Sequence, residues 1–183
     1  RVRVCGEFAL TAYKVFPEWN PMVHVVEHRA IPLDWTRYAA IDPGYQVCAV
    51  LFGAVPPRED SIYLFDELYL KNCTAELFGQ AMAEKTKHQE YHAFVIDLHG
   101  AVRSDIGTGA TTQQQYADSL ERYKVKSTMS GNNFLYGSDN VMAGINSMHS
   151  MLRVREDGTP KLRVLKDACP NFEWEIKRYH NKK

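Results

Sequence analysis

Three apolar segments follow one another in the first half of the chain, and residues that favour turns separate them. The first, RYAAID (37–42), ends at a Pro-Gly pair, and the second, YQVCAVLFGAV (45–55), ends at a Pro-Pro pair. The third, SIYLFDELYL (61–70), is reached through the polar loop REDS. β-branched and aromatic residues are enriched in strands because they pack well on a pleated surface. The pattern therefore predicts an antiparallel meander of three strands.

A helix is predicted after the meander, over about residues 74–89. Thr74 is suited to cap its N-terminus, since a threonine side chain accepts a hydrogen bond from the first turn. Its apolar face is formed by Leu77, Phe78, Ala81 and Met82. The next segment, YHAFVID (91–97), is almost entirely apolar, which is typical of a strand buried on both faces of a sheet.

Helices and strands alternate in the rest of the chain. The predicted elements are the loop SDIGTGA (104–110), a helix (111–123), the strand KVKSTM (124–129), a helix capped by Ser138 with Val141, Ile145, Met148 and Leu152 on one face, a hairpin that turns at Asp157-Gly158, and a last helix, NFEWEIKRY (171–179). A meander followed by alternating helices and strands predicts an α/β domain with a mixed sheet. A doubly wound parallel fold would instead begin with a βαβ unit.

Residues 1–36 lack a clear period and are punctuated by Pro17, Pro21 and Pro32. We predict that they form a linker that packs along the domain, with a strand-like segment MVHVVEH (22–28) inside it. The domain itself is predicted to span residues 37–183. The chain starts at an arginine rather than a methionine, and we expect it to be a piece of a longer protein.

Composition narrows the class of protein. The 183 residues suit one domain, and 45% of them are apolar, enough for a sizeable core. The 22 basic and 22 acidic residues cancel, which argues mildly against binding nucleic acid through the overall field but allows a local basic groove. The four scattered cysteines lack the spacing of a zinc site or a disulfide framework, and no apolar run approaches the length of a membrane span.

Two aspartates stand at the ends of predicted strands. Asp42 follows RYAAI, and Asp97 closes FVID. Each alone has an ordinary explanation, because Asp42 opens a turn well and Asp97 could cap the following loop. If their strands are neighbours, both carboxylates emerge side by side, and a divalent cation relieves their repulsion. Mg²⁺ and Mn²⁺ prefer oxygen ligands, so the pair predicts a metal site of the kind that hydrolyses phosphodiesters with two ions.

The ordered set RYAAIDPGYQVCAVLFGAV, IYLFDELYL and FVIDLHG resembles the nuclease domain of large terminase subunits, the DNA-packaging motors of tailed bacteriophages. RVCGEF followed by VFPEW resembles the segment that joins the motor's ATPase to its nuclease, and the similarity extends through EWEIKRY. The resemblance implies an RNase H-like fold and an endonuclease that cuts concatemeric double-stranded DNA with two Mg²⁺ or Mn²⁺ ions. It also implies an ATPase domain, the small terminase subunit and the portal as partners, no membrane, and action in the host cell cytoplasm during virus assembly.

The resemblance makes Asp42 and Asp97 the catalytic, metal-binding acids. The third acid of the family lies in an Asp-His-x-x-Asp-like segment, which we expect beyond Lys183. The sequence contains no Gly-x-x-x-x-Gly-Lys-Ser/Thr motif, so the ATPase half is not expected in it.

Other residues are weaker candidates. Glu67, late in the third strand, could support a metal through water, although an exposed strand-end acid is the simpler interpretation. His99 and Arg103 follow Asp97 on the loop that a DNA phosphate would meet. Lys124 and Lys126 could belong to a basic rim for DNA, although each alone is an ordinary surface residue.

Two other functions stay open. The chain could be a non-catalytic DNA-docking or motor-interaction module whose acids are vestigial. An actin-like or sugar-kinase-like ATP-binding domain also begins with an Asp-x-Gly hairpin, which Asp42-Pro43-Gly44 fits. Such domains need a second phosphate-binding hairpin, for which Gly107-Thr108-Gly109 is a poor substitute.

Overall fold

A mixed sheet forms the centre of the computed structural model, which describes residues 14–87 and 89–180. The seven strands found in these residues lie in the order β1-β7-β4-β3-β2-β5-β6. They are β1 (Val25–Val26), β2 (Thr36–Asp42), β3 (Val47–Val55), β4 (Ile62–Lys71), β5 (Ala93–Ile96), β6 (Leu135–Tyr136) and β7 (Leu162–Leu165). The helices are α1 (Pro21–His24), α2 (Ala75–Thr86), α3 (Leu98–Ala101), α4 (Thr112–Arg122), α5 (Val141–Leu152) and α6 (Pro170–Ile176).

The meander predicted from the sequence is confirmed as β2, β3 and β4, which pair antiparallel. The remaining strands add to its edges in parallel: β5 beside β2, β6 beside β5, β7 beside β4 and β1 beside β7. The predicted α/β class with a mixed sheet is therefore confirmed. The parallel pairing of β2 with β5 brings the carboxyl ends of these two strands to the same edge of the sheet.

The two faces of the sheet pack differently. On one face, alternate residues of β2 and β3, such as Ile41 and Val50, form a core with α2 and α4 around Phe78 and Leu120. On the other face, α5, α6 and the segment before β2 pack over β4 and β7, around Leu152 and the rest of a second core. Ala40 on β2 faces this side and is exposed. The second face is therefore left open beside the ends of β2 and β5.

Both helices of the first face begin with a threonine cap, of which the cap at Thr74 was predicted. The Thr74 side chain accepts a hydrogen bond from the backbone N of Leu77. Thr111 and Gln114 form a reciprocal capping box at the start of α4. The predicted apolar face of α2 is correct at Phe78 and Met82, which are fully buried, but wrong at Leu77, which is 37% exposed.

Several other predictions are wrong in detail. KVKSTM is not a strand: Val125 is buried, but the chain turns there, and the short β6 takes the place beside β5. Asn140, not Ser138, caps α5, whose predicted apolar face is packed chiefly at its end, since Val141 is 64% exposed. MVHVVEH is split into the end of α1 and the two residues of β1. The turn at Gly158 is confirmed, with a left-handed φ of 78° and a single bridge between Val154 and Pro160.

The segment before β2 is attached to the domain at several points. His24 is fully buried, with its Nε2 atom 2.8 Å from the carbonyl oxygen of Leu152. The Arg37 guanidinium donates to the carbonyl oxygens of Ile31, Pro32, Leu33 and Trp35. Residues 14–36 thus pack along the domain, whereas the segment RVCGEF lies outside the described residues. No helix in the described ranges is long and apolar enough to cross a membrane.

Candidate active site

Asp42 and Asp97 emerge side by side at one edge of the sheet. In the parallel pair β2–β5, Ile41 is the partner of Ile96, and each aspartate is the next residue along its strand. The backbone N of Asp97 donates to the carbonyl oxygen of Ile41 over 2.9 Å. The predicted neighbourhood of the two acids is therefore correct, although their chemical role remains a prediction.

One oxygen of Asp97 has a structural task. Its Oδ2 atom accepts a hydrogen bond from the backbone N of Gly100 over 2.7 Å and so caps the short helix α3. This is the cap suggested by the ordinary interpretation of Asp97. The bond fixes the direction of the carboxylate, and Oδ1 accepts no hydrogen bond from any described residue, which leaves it available to a ligand.

The pKa of Asp42 is raised above its usual value. Partial burial of the carboxyl is the first cause, followed by the negative charges of Asp97 and Glu175, while Arg103 acts in the opposite direction. Much of the residue's surface is nevertheless accessible, so the desolvation is incomplete and the repulsion between carboxylates matters. A carboxyl group whose ionisation is disfavoured by burial and by neighbouring negative charges is suited to bind a cation.

Glu175 is a site residue that the sequence did not indicate. The Tyr69 hydroxyl donates to its Oε1 atom over 3.0 Å. Tyr69 is the partner of Ala49, and Ala49 is the partner of Asp42, so the tyrosine and the aspartate lie in one cross-strand row on one face of the sheet. Nothing in the local pattern of EWEIKRY predicts that α6 folds back over this row, since the contact joins residues 106 positions apart.

The carboxylates at this edge have the chemistry of a site for hard divalent cations. Asp42 and the free oxygen of Asp97 supply carboxylate oxygens, the ligands that Mg²⁺ and Mn²⁺ prefer. A bound cation would also relieve the repulsion between the two carboxylates. Within residues 14–87 and 89–180, however, no three His, Cys, Asp or Glu side chains are grouped closely enough to hold a metal ion. The described residues therefore fit a metal site that needs at least one more ligand.

A close contact locks the two acid-bearing turns together. A Cβ atom at Gly100 would lie 2.6 Å from Cγ and 2.9 Å from the carbonyl oxygen of Pro43. Only glycine allows this approach between α3 and the turn that follows Asp42. Gly100 therefore serves both acids: its backbone N holds Asp97, and its lack of a side chain admits Pro43.

The predicted phosphate contacts lie near the acids. Arg103 is close enough for its charge to lower the pKa of Asp42, and its side chain is exposed. It also borders a cavity of about 420 Å³ together with the turn Pro43-Gly44-Tyr45. His99 is exposed on α3, two residues after Asp97. Contact of His99 and Arg103 with a DNA phosphate stays a prediction.

The other predicted site residues lie elsewhere. Lys124 and Lys126 precede Thr128, whose backbone N bonds the carbonyl oxygen of Tyr91, so they lie at the opposite end of β5 from Asp97. The rim predicted from them does not border the acid pair. The Glu67 carboxylate accepts hydrogen bonds from Asn171 N and Nδ2 over 2.8 and 2.7 Å and from Phe172 N over 3.1 Å. It anchors the start of α6, so the predicted water-mediated support of a metal is replaced by a structural role.

No protein-family model and no curated protein sequence matches the chain. Solved structures do match it. The large terminase from a thermophilic bacteriophage, in complex with ATP-gamma-S, superposes with a TM-score of 0.69 at 14% identity, over 93% of this chain and 38% of that one. The P22 large terminase nuclease domain superposes with a TM-score of 0.64 at 19% identity, over 92% of this chain and 80% of that one. The chain has the fold of a large-terminase nuclease domain.

A third match agrees with this assignment of the terminase nuclease fold. The nuclease domain of the bacteriophage SPP1 large terminase, solved with bound Mn, has a TM-score of 0.52 at 14% identity, over 88% of this chain and 80% of that one. The predicted terminase-nuclease type of architecture is therefore confirmed as a fold. The chain spans little more than a third of the length of the thermophilic-phage terminase that it matches.

Proposed function

We propose that the chain is the nuclease domain of a viral DNA-packaging large terminase subunit, a divalent-metal-dependent endonuclease that cleaves concatemeric double-stranded DNA. The observation that carries this proposal is the placement of Asp42 and Asp97 at adjacent carboxyl ends of β2 and β5 on a terminase nuclease fold. Paired carboxylates at such an edge suit phosphodiester hydrolysis with two metal ions.

Each residue of the site has a distinct task in this proposal. Asp42 and Oδ1 of Asp97 would hold the cations, Mg²⁺ or Mn²⁺, and Gly100 keeps the Asp97 carboxylate oriented through its backbone N. Two divalent ions supply a more acidic water as nucleophile and charge stabilisation for the leaving oxygen. Arg103 is placed to bind a phosphate beside the pair. Because phosphate contacts carry no base information, little sequence specificity is expected.

The ligand set is completed, in this proposal, by an acid beyond Lys183, as the terminase resemblance implies. Glu175 is a second source of negative charge at Asp42 and could contribute a further oxygen ligand. Support for divalent metal comes from the SPP1 nuclease domain, which was solved with bound Mn. We also propose the wider context of the resemblance: an ATPase domain in the same protein, the small terminase subunit and the portal as partners, and action in the host cell cytoplasm.

A non-catalytic docking module is the second candidate. The observation that favours it is that no group of three potential ligands occurs among the described residues. The ATP-binding alternative has no such support, because the segment containing Gly107 and Gly109 is a single loop between α3 and α4 rather than a hairpin of two strands.

Plasmid digestion tests the proposal. The chain, and a version extended past Lys183, are incubated with supercoiled plasmid and Mn²⁺, Mg²⁺ or EDTA. We expect metal-dependent cutting that Asp42→Asn and Asp97→Asn each reduce at least about a hundredfold, while Asp118→Asn, an exposed acid on α4, has no effect. Cutting in EDTA, or cutting that survives both site substitutions, would contradict the metal assignment. DNA binding without cutting by either version would favour the docking module, and ATP binding without cutting the ATP-binding domain.

A further inference from the structure

An isoleucine projects fully into solvent near the acid pair. Ile106 has a relative exposure of 104%, the highest of any large apolar side chain among the described residues. A single exposed apolar residue is common on protein surfaces and has no meaning by itself. The position of Ile106 and the structure of its loop set it apart.

The loop around Ile106 is tightly hydrogen-bonded. Oδ1 of Asp105 accepts from Gly107 N over 2.9 Å and from Thr108 N over 2.8 Å. The backbone of Asp105 is bonded to Ala110 O and Gly109 N over 3.0 and 2.8 Å. The bonds from Thr108 and Gly107 lower the pKa of Asp105, which keeps the carboxylate ionised and turned into its own loop. The loop is thus a fixed platform that holds a β-branched apolar side chain outward.

The loop borders, at its base, the same cavity as the turn that follows Asp42. It is closed at its base by the backbone N of Thr112, which donates to the carbonyl oxygen of Arg103 over 2.8 Å. Arg103 is the residue whose charge reaches Asp42. Three residues span at most about 10 Å, so Ile106 lies within that distance of Arg103. The carboxylate of Asp105 is engaged within the loop, and the loop tip therefore offers an apolar contact to DNA.

We propose that Ile106 is an apolar wedge that enters the minor groove of duplex DNA beside the scissile phosphate and partly unstacks one base step. The inference rests on the proposed nuclease function and adds to it a positioning residue. Isoleucine is among the side chains that proteins insert between base steps, where the cost of unstacking is offset by added contact with a bent duplex. A wedge of this kind holds the backbone in register without reading its sequence, which suits cleavage of low specificity.

The salt dependence of duplex binding distinguishes an apolar contact made by Ile106 from a charged contact made by Arg103. Full burial of an isoleucine side chain corresponds to about a tenfold gain in affinity or more, and this gain does not depend on counterion release. We expect Ile106→Ala to weaken duplex binding about tenfold at low and high salt alike. Arg103→Ala should weaken binding mainly at low salt, because its contact with phosphate is screened.

The test uses a short duplex that carries 2-aminopurine at several positions, with Ca²⁺ in place of Mg²⁺ to prevent cutting. The wild-type chain should raise 2-aminopurine fluorescence by unstacking, Ile106→Ala should not, and Ile106→Leu should restore the effect. Leu33→Ala is the matched control, since Leu33 is 86% exposed and lies just before the opposite end of β2.

Each outcome decides the matter. Equal affinity and equal fluorescence for wild type and Ile106→Ala would overturn the wedge, as would a wild-type chain that does not bind duplex. Loss of binding equally in Ile106→Ala and Leu33→Ala would also overturn it. If fluorescence depends on Ile106 but no version of the chain cuts plasmid, the wedge stands and the proposed nuclease function fails.

Discussion

At the scale of single residues, the two aspartates differ in how the protein holds them. Asp97 is oriented by a hydrogen bond from the backbone N of Gly100. Asp42 lies near the negative charges of Asp97 and Glu175 and accepts no hydrogen bond from a described residue. Their adjacency could be predicted because each ends a strand whose apolar pattern is unmistakable. The presence of Glu175 at the site could not be predicted, because this residue contacts Tyr69 from a helix whose position is set by long-range packing.

Asp42→Asn is expected to stabilise the chain in the absence of metal. Folding raises the pKa of Asp42, so the ionised carboxylate is disfavoured in the folded state. The wild-type chain therefore loses free energy of unfolding as the pH rises through this raised pKa and Asp42 ionises. The melting temperature of Asp42→Asn should exceed that of the wild type by about 1–3 °C at pH 7, and the difference should shrink towards pH 4. Differential scanning fluorimetry across this range measures it. A wild-type chain that is the more stable at pH 7 in EDTA would contradict the prediction.

Glu175→Gln should lower the pKa of Asp42, because it removes one of the negative charges that disfavour ionisation. Glu173→Gln is the matched control, since Glu173 lies on the same helix but is paired with Lys177 at 3.5 Å and does not affect Asp42. Carboxyl NMR titration of the two variants in EDTA reports the shift. Equal shifts in both would show that Asp42 responds to the total charge of α6 rather than to Glu175.

At the scale of elements, sequence patterns predict the strands better than the short connections. Alternation and turn residues predicted β2, β3 and β4, and Thr74 predicted the start of α2. KVKSTM has the composition of a strand, but Ser127 closes a tight turn with Gly131 there, and β6 pairs with β5 instead. At Glu67 the sequence predicts an exposed acid or a support for a metal. Its hydrogen bonds to the start of α6 could not be predicted, because the packing of α6 against β4 leaves no signal in the local sequence.

Gly100→Ala should impair the site with a smaller effect on the fold. A Cβ atom 2.6 Å from the Pro43 ring must push α3 away from the turn beside Asp42, and displacement of a catalytic group by about 1 Å can cost a hundredfold in rate. Plasmid cutting should fall accordingly, with a loss of stability of about 1–3 kcal/mol. Gly144→Ala is the control, because a Cβ atom there meets nothing within 4 Å and alanine favours the helix by about 0.5–1 kcal/mol. If both variants cut like the wild type, the contact does not position the acids.

At the scale of the whole molecule, the segment before β2 belongs to the packing of the domain. It supplies β1 at one edge of the sheet, and its Glu18 lies 2.9 Å from Nδ1 of His149 on α5. The strand-like segment MVHVVEH predicted within residues 1–36 contains β1, but only Val25 and Val26 of it pair in the sheet. The domain boundary predicted at residue 36 stays a prediction.

Arg37→Met should loosen this segment. The guanidinium is the shared donor to four backbone carbonyls, and the residue is 4% exposed, so its removal leaves those carbonyls without a charged partner. We expect a loss of about 2–4 kcal/mol in urea denaturation and faster proteolysis within residues 29–36. Arg153→Met, at an exposed position after α5, should do neither. Slow proteolysis of both variants would mean that the segment is held by its other contacts.

The two ends of the described domain are bridged to each other. The backbone N of Val15 donates to the carbonyl oxygen of Tyr179 over 2.9 Å, and Lys14 and His180 form an isolated antiparallel bridge. Anything attached before Lys14 and anything attached after His180 leaves from one place. A pull applied between those two attachments would therefore load this bridge before it reaches the sheet with its pair of aspartates.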